Sequence, residues 1–255
     1  MRYKKTKAIR EKLKKKKSTI GTWQQIPHGS ISEILGKAGY DWVAVDLEHG
    51  SIDVSQLPDL FRAIELGESL PLARVADGNS KEIKQALDAG AGGVIVPMIE
   101  SAEQLALISD FCRWPPSGTR GVGFSRANLF GSNFNAYKEE SQSPLLIAQI
   151  EHVNAINNLD EILSVPGLDA IMVGPYDLSA SMNIAGQFEH SNFKDILKKI
   201  LSLGEIKNVP TGIHVIDPDP EQLKKVKEEG YQFIAYSIDA VFLSKNVVLN
   251  FESLK

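Results

Sequence analysis

The chain has 255 residues, of which 43% are hydrophobic and 24% are charged, with a net charge of −4, and this is an ordinary globular composition. No apolar stretch reaches the ~20 residues that span a bilayer, and the charged start at residues 1–5 differs from the apolar core of a secretory signal, so we expect a cytoplasmic protein with no membrane partner. The single cysteine, Cys112, excludes an intrachain disulfide and any metal site built from several cysteines.

The first predicted element is a basic helical extension at residues 1–17. This segment holds ten Lys and Arg against one acidic residue, which leaves 18 basic and 31 acidic residues in the rest of the chain. Ile9 and Leu13 recur at helical spacing, so we expect the lysines to form the solvated face of a short helix. A basic arm can also bind nucleic acid. However, no aromatic residue beyond Tyr3 accompanies the basic ones for base stacking, so we expect no nucleic-acid partner.

Eight short strands follow along residues 18–255. Each is mostly apolar or β-branched and is bounded by Gly, Pro or Asp. Several are continuous apolar runs, as is typical of parallel strands buried on both faces. The predicted strands are Thr19–Trp23, Trp42–Asp46, Leu70–Val75, Gly93–Pro97, Leu145–Glu151, Leu168–Val173, Val209–Val215 and Phe233–Ile238.

Helical patterns fill the gaps between these strands. The predicted helices are Ile31–Ala38, Val54–Leu66, Lys81–Ala89, Ala102–Phe111, Ala155–Ser164, Phe193–Leu203, Glu221–Glu229 and a segment after Asp239. Eight β–α units in about 250 residues predict an α/β fold, a (β/α)8 TIM barrel that forms a single domain over residues 18–255. A doubly wound open sheet would usually have about five or six strands. The one long interruption, residues 113–144, has a length that is usually functional.

Two carboxylates follow successive strands of this barrel. Glu151 follows the apolar run that begins at Leu145, and Asp177 follows the run that begins at Ala170. The C-terminal ends of barrel strands are where catalytic sites are built. Two hard oxygen ligands favour Mg²⁺ or Mn²⁺, with Co²⁺ or Zn²⁺ as further candidates. The alternative is a pair of salt bridges at the rim of the barrel.

Two further ionisable residues stand at neighbouring strand ends. His49 lies in the sequence Asp46-Leu47-Glu48-His49-Gly50 and can transfer a proton near neutral pH, or it is a loop histidine bonded to local backbone. Arg74 ends the third strand and can stabilise negative charge that develops on an oxygen. It can equally form a structural ion pair with Asp46, and the two roles are compatible.

Taken together, these motifs resemble the HpcH/HpaI aldolase family, the class II pyruvate aldolases. The resemblance covers roughly residues 18 to 245 and rests on Val45–Gly50, Arg74, Val96–Met98, Gly118–Gly123, Gln149–Glu151 and Gly174–Ser179. It implies a metal-dependent lyase that cleaves or forms a 4-hydroxy-2-keto acid, with pyruvate, an aldehyde and an enolate of pyruvate held on the metal. It also implies a homo-oligomer, a hexamer built from dimers that exchange the last helix.

The resemblance also implies roles for single residues. Glu151 and Asp177 match the metal ligands of the family. His49 matches its catalytic histidine, and Arg74 matches its pyruvate-binding arginine. Asp88 resembles the acid that orients the histidine.

Further residues match the substrate-binding positions of the family. Gln149 and the backbone of Gly174-Pro175 resemble groups that line the pyruvate site, and Trp23 matches an aromatic residue on the first strand. Two positions are this chain's own variants. Arg126 binds either a distal carboxylate of the substrate or an acidic neighbour, and His214, where the family more often has an apolar residue, lies either in the aldehyde pocket or outside it.

Two other functions agree with the same barrel. One is a related carbon–carbon lyase that forms an enolate from another substrate, such as an acyl-thioester, but no basic groove for coenzyme A is evident. The other is a non-catalytic family member. Such a protein would not need His49, Arg74, Glu151 and Asp177 together.

Overall fold

Eight parallel strands close into a barrel in the computed structural model, which describes residues 2–247. Each strand pairs with the next along the chain, and the eighth pairs with the first. The strands are β1 (Thr19–Gln24), β2 (Trp42–Asp46), β3 (Leu70–Arg74), β4 (Gly93–Val96), β5 (Leu145–Ile150), β6 (Ala170–Val173), β7 (Thr211–Val215) and β8 (Phe233–Ile238). The predicted barrel and its eight strands are confirmed, with strand ends that differ by at most two residues.

One helix precedes the strands, one follows the last strand, and the others connect the strands and cover the outside of the barrel. They are α1 (Arg2–Lys14), α2 (Gly29–Lys37), α3 (Leu57–Leu66), α4 (Ser80–Ala89), α5 (Ala102–Cys112), α6 (Phe134–Glu140), α7 (Val153–Asn157), α8 (Leu159–Ile162), α9 (Pro175–Ser181), α10 (Ser191–Lys207), α11 (Pro220–Glu228) and α12 (Asp239–Asn246). The predicted helix Ala155–Ser164 is two short helices, because the backbone leaves the helical conformation at Asn158. Helices α6 and α9 were not predicted. None of the helices within residues 2–247 is long and apolar enough to cross a membrane.

The basic N-terminal segment forms α1, whose apolar stripe closes one end of the barrel. Ile9 and Leu13 are buried in the same cluster as the interior residues Trp42 and Leu70. Most of the lysines face solvent, as expected for an amphipathic helix. The predicted exchange of the last helix between subunits concerns the chain after Asp239, and residues 248–255 of that segment lie outside the described part of the structure.

Side chains alternate between the barrel interior and the helix layer along each strand. On β2, Trp42 faces the interior, whereas Val43 packs under the helices. Trp42 stacks on Phe233 with ring centroids 4.5 Å apart. Gly21 is required beside this pair, because a Cβ at that position would overlap the Trp42 indole. The interior is therefore apolar until the last inward positions of the strands.

The long segment from residue 113 to residue 144 lies at the N-terminal end of the barrel. It follows α5, which runs from the C-terminal ends of the strands back to the opposite end, as each helix of a barrel does. Arg126, within this segment, donates a hydrogen bond to the carbonyl of Ala89 at the end of α4 at 3.3 Å. It also pairs with Glu65 near the end of α3. The segment is thus not a lid over the strand C-termini of its own chain.

Candidate active site

Polar side chains line the mouth of the barrel, the end at which all eight strands reach their C-termini. Asp46 and Arg74 are the last residues of β2 and β3, and Gln149 and His214 are the penultimate residues of β5 and β7. Each follows an apolar or small residue two positions earlier on the same strand. Because strand side chains alternate with a period of two, these four polar groups converge inside the mouth.

A buried ion pair fixes the orientation of Arg74. Its Nε and Nη2 donate to Oδ1 and Oδ2 of Asp46 at 2.8 and 2.6 Å. Gln25 donates to the same carboxylate at 2.8 Å. Burial raises the pKa of the Asp46 carboxyl, but the hydrogen bonds and charge of Arg74 outweigh burial and hold that pKa below its usual range. The structural ion pair considered for Arg74 is therefore present, and it leaves Nη1 for other contacts.

Two more groups confine the guanidinium of Arg74. Its Nη1 lies 3.2 Å from Oε2 of Glu48. Its Cζ lies 4.3 Å from the centre of the Trp23 ring, which places a cation over an aromatic face. Because these contacts hold the guanidinium in one orientation, it needs little reorganisation when negative charge develops on a nearby substrate oxygen.

Glu151 lies just beyond β5 and is almost fully buried, with 3% of its surface exposed. Oε1 accepts a hydrogen bond from the Met98 amide at 2.7 Å, and Oε2 accepts one from Nε2 of Gln149 at 2.8 Å. Burial raises the pKa of this carboxyl, opposed by these two donors, and the negative charge of Asp177 raises it further. Glycine is required at position 174, because a Cβ there would overlap Oε2 of Glu151.

Asp177 lies in the first turn of α9 rather than on β6, and its side chain is exposed. Gly174, which lies against the Glu151 carboxylate, is the residue before this helix, so Asp177 starts close to Glu151 at the same end of the barrel. Within residues 2–247, no three His, Cys, Asp or Glu side chains form a metal-binding group. Two carboxylates beside Gly174, which leaves space next to Glu151, fit a hard divalent ion that keeps several positions open for water or substrate oxygens. They do not fit a closed structural metal cage.

His49 lies at the rim of the mouth, with 60% of its side chain exposed. Its Nε2 is 3.8 Å from Oε2 of Glu48, and its backbone amide donates to Asp46 at 3.3 Å. His49 therefore contacts the local structure through its main-chain amide, and its imidazole remains accessible. Burial raises the pKa of the Glu48 carboxyl, with Arg74 opposing and the charge of Glu151 adding to the increase.

Comparison with known proteins agrees with the motifs. The HpcH/HpaI aldolase/citrate lyase family matches residues 19–245. A hydroxypyruvate/pyruvate aldolase from Roseobacter denitrificans is 34% identical over 237 residues, which cover 92% of each chain. A 2-keto-3-deoxy-L-rhamnonate aldolase from Shigella boydii is 33% identical and covers 94% of this chain and 90% of its own. The chain belongs to the HpcH/HpaI family.

The solved structure of another member of this family supports the same assignment. An HpcH/HpaI aldolase/citrate lyase family protein from Burkholderia cenocepacia superimposes with a TM-score of 0.90 at 29% identity, over 97% of this chain and 98% of its own. The named relatives at more than 30% identity are aldolases. This HpcH/HpaI protein is therefore an enzyme of the lyase class and of the aldolase type.

His214 of this HpcH/HpaI protein lies inside the mouth. Its ring meets the edge of Trp23 with centroids 5.9 Å apart. Its Nε2 has no hydrogen-bond partner among the described residues. Burial lowers the pKa of this imidazole to about 4, and the positive charge of Arg74 contributes to the decrease. His214 is therefore neutral at physiological pH.

Two residues to which the sequence assigns a site role lie far from the mouth of their own chain. Asp88 is near the end of the 10-residue helix α4, which at 1.5 Å per residue places it roughly 12 Å along the helix from the end nearest the mouth. Its charged neighbours are Arg120 and Lys84, and burial raises the pKa of its carboxyl. Arg126 is at the same end of the barrel and pairs with Glu65, which is the acidic-neighbour alternative. A single chain does not bring Asp88 to His49 or Arg126 to the mouth.

Sequence reasoning missed two groups of the site. Glu48 received no role, although its position between Asp46 and His49 at a strand end was a usable signal. The Met98 amide that holds Glu151 has no side-chain signal at all, because any residue type supplies a backbone donor. Other buried polar atoms around the mouth lack hydrogen-bond partners within residues 2–247, namely Trp23 Nε1, Gln149 Oε1 and Ser237 Oγ. Such atoms usually contact ordered water or a ligand.

Proposed function

We propose that this protein is a divalent-metal-dependent aldolase that cleaves a 4-hydroxy-2-keto acid to pyruvate and an aldehyde, or joins the two in reverse. One observation carries the proposal: the buried carboxylate of Glu151 lies against Gly174, at the start of the helix that carries Asp177, in the same mouth as the confined guanidinium of Arg74. A 2-keto acid offers two adjacent oxygens to such a site. Relatives at more than 30% identity are named for pyruvate and for a 2-keto acid.

Glu151 and Asp177 would hold the metal ion, for which Mg²⁺ or Mn²⁺ is the first candidate and Co²⁺ or Zn²⁺ a further one. When bound, the ion supplies a Lewis acid for the carboxylate and ketone oxygens of the keto acid. Gln149 keeps one oxygen of Glu151 in place. The backbone at Gly174 and Pro175 starts α9 beside that carboxylate and would line the keto-acid side of the site.

Arg74 would stabilise the negative charge that develops on the ketone oxygen. Its bidentate contact with Asp46 and its stacking on Trp23 fix the direction of the guanidinium before substrate arrives. Preorganised charge of this kind is usually a large contribution to catalysis. Trp23 would thus contribute by holding the arginine and by closing one wall of the site.

His49 would accept the proton of the 4-hydroxyl group. As this proton leaves, the C4–O bond becomes a carbonyl and the C3–C4 bond breaks. The electron pair of that bond passes into the C2–C3 bond of the pyruvate enolate, and a proton added at C3 completes pyruvate. The exposed position of His49 at the rim lets its imidazole exchange the accepted proton with solvent. The mouth positions described above carry no lysine, so we assign no Schiff-base step.

The aldehyde half of the substrate would contact His214. This imidazole is neutral and half-buried, and its buried Nε2 has no partner among residues 2–247. A hydroxyl or other polar group on the aldehyde could satisfy that nitrogen, whereas an apolar aldehyde would leave it unpaired at a cost of about 1–3 kcal/mol. We therefore expect polar, hydroxylated aldehydes to be preferred.

We also propose that the protein is a homo-oligomer, a hexamer by resemblance to its family. Four apolar side chains in the segment from residue 122 to residue 130 are exposed, namely Val122, Phe124, Leu129 and Phe130. Gly131, which follows Phe130, lies against the Phe124 ring, so exposed apolar residues come together here, as they do at many interaction sites. The same end of the barrel carries Asp88, whose Oδ1 has no hydrogen-bond partner in the described chain. A second copy seated there could bring Asp88 to a neighbouring His49.

Release of pyruvate tests the proposed reaction. Chelator-treated protein is mixed with a panel of 4-hydroxy-2-keto acids, with and without Mg²⁺ or Mn²⁺, and pyruvate is followed with a coupled dehydrogenase. We expect metal-dependent pyruvate release, its loss in Asp177→Ala, and its retention in Asp195→Ala, which removes an exposed carboxylate of α10. No metal-dependent pyruvate from any panel member, or normal turnover in Asp177→Ala, would contradict the proposal.

The second candidate function is a carbon–carbon lyase acting on an acyl-thioester or a related enolate-forming substrate. It is retained because the matching family is described as aldolase/citrate lyase. Adding citrate and acyl-thioesters to the same panel separates the two functions. Turnover of those compounds without pyruvate release would favour the second candidate.

A further inference from the structure

The turn that joins β4 to α5 supplies one of the two donors to Glu151. The Met98 amide donates to Oε1 at 2.7 Å, and the side chain of Gln149 donates to Oε2 at 2.8 Å. The direction of this carboxylate therefore depends on where the Met98 amide points. That amide belongs to a turn, so its direction is set by the conformation of residues 97–100.

Met98 adopts an unusual backbone conformation, with φ at +51°. In this left-handed region the Cβ of an L-residue comes too close to the following carbonyl oxygen, which costs about 1–2 kcal/mol. Such conformations persist only where the surrounding contacts over-determine them. One such contact is the amide of Ile99, which donates to the carbonyl of Gln149 at 3.3 Å and ties the turn to β5.

The side chain of Gln104 provides two further contacts from the first turn of α5. Its Oε1 accepts a hydrogen bond from the Glu100 amide at 2.8 Å, and its Nε2 donates to the Met98 carbonyl at 3.1 Å. One amide group thus bridges both ends of the turn. An amide side chain offers a donor and an acceptor side by side, as this bridge requires. The backbone amide of Gln104 donates to Oγ of Ser101 at 3.2 Å, and this hydrogen bond anchors the start of α5.

We infer that Gln104 is a positioning residue for the metal ligand Glu151, acting through the left-handed conformation of Met98. The inference rests on the proposed metal site at Glu151 and Asp177. Gln104 is on the surface, and both polar atoms of its side chain are used by the turn. Without this side chain the turn can relax to an ordinary φ, the Met98 amide turns away, and Glu151 becomes free to rotate.

Direct binding of Mn²⁺ to the chelator-treated protein, followed by calorimetry or by the spin signal of the free ion, tests this role without turnover. We expect Gln104→Ala to weaken Mn²⁺ binding about tenfold, which corresponds to ~1.4 kcal/mol. Gln104→Glu keeps the acceptor but lacks the donor, so its affinity should also fall. Glu103→Ala is the matched control, since Glu103 is exposed on the same helix and makes no side-chain hydrogen bond or ion pair within residues 2–247. The metal-free melting temperatures of all three should stay close to that of the wild type.

A second variant separates the proposed mechanism from general damage. Glycine adopts positive φ without the cost that an L-residue bears, so Met98→Gly should make the turn less dependent on Gln104. In that background, Gln104→Ala should weaken Mn²⁺ binding by only about twofold, and the two changes should be non-additive. Wild-type affinity in Gln104→Ala, or an equal loss in both backgrounds, would overturn the inference. Failure of the wild type to bind Mn²⁺, or undiminished binding in Asp177→Ala, would instead show that the metal site is wrong.

Discussion

Replacing Asp46 with asparagine should destabilise the barrel by about 3 kcal/mol. The carboxylate is fully buried and accepts two hydrogen bonds from Arg74 and one from Gln25. Asparagine has nearly the same volume, but its NH₂ group would replace an acceptor and face only donors. Breaking one side of a buried ion pair costs about 3–5 kcal/mol. The lower end applies because Glu48, 3.2 Å from Nη1 of Arg74, still offsets part of the positive charge.

Urea unfolding of the metal-free protein, followed by circular dichroism, measures this loss. With a denaturant slope of about 3 kcal/mol per molar, the midpoint for Asp46→Asn should fall by about 1 M. Asp195→Asn, which changes an exposed carboxylate of α10, should stay within about 0.5 kcal/mol of the wild type. An unchanged midpoint for Asp46→Asn would refute the argument that the charge of Asp46 holds Arg74 in place.

The pH dependence of this difference follows from the lowered pKa of Asp46. An unfolded aspartate titrates near ~3.9, so on acidification the unfolded chain takes up the proton before the folded chain does. The stabilisation by the Asp46 carboxylate is therefore fully present above about pH 5, and it is lost as the pH falls through the folded pKa. The gap in stability between wild type and Asp46→Asn should be constant from about pH 6 to 8 and should shrink below about pH 4. A gap that widens on acidification would have the wrong sign.

Three further substitutions test other parts of the site. His49→Ala should lower kcat by ~10²-fold or more in the pyruvate assay with unchanged Mn²⁺ affinity, and a normal rate would leave His49 with only a structural role. Gly174→Ala adds a Cβ that overlaps Oε2 of Glu151, so Mn²⁺ binding measured by calorimetry should weaken about tenfold, ~1.4 kcal/mol; equal affinity would argue against this placement of the carboxylate. Phe124→Asp puts a charge into the exposed apolar segment, and sedimentation should then show a smaller assembly than the wild type. The same mass for both proteins would mean that this segment is not the interface.

The barrel and most of its mouth could be predicted from local sequence patterns. Short apolar runs bounded by Gly, Pro or Asp located all eight strands, because strands buried on both faces are mostly apolar. The polar residues that interrupt these runs, such as Asp46 and Arg74, lie where the strands reach the mouth. The same logic located Glu151, but placed Asp177 at a strand end when it lies in the first turn of α9.

Assignments by motif were weaker for residues outside the strand ends. Asp88 and Arg126 were associated with the mouth by resemblance or by charge, yet both lie at the opposite end of their own chain. Their positions relative to the helices contained a usable signal, since a segment that follows a barrel helix begins at the end opposite the mouth. A match to a family motif does not say which subunit supplies a residue, because that depends on how copies of the chain assemble.

The sequence by itself determined the eight β–α units, the apolar stripe of α1 and the residue types that stand at the strand ends. These follow from hydrophobic periodicity, which is a property of neighbouring residues along the chain. Only the tertiary structure decided which groups meet. It showed that both oxygens of Asp46 accept hydrogen bonds from Arg74, that Met98 adopts a left-handed conformation with its amide directed at Glu151, and that His214 packs against Trp23. The physical reason is that these contacts join different strands and loops, so their geometry arises only when the barrel closes.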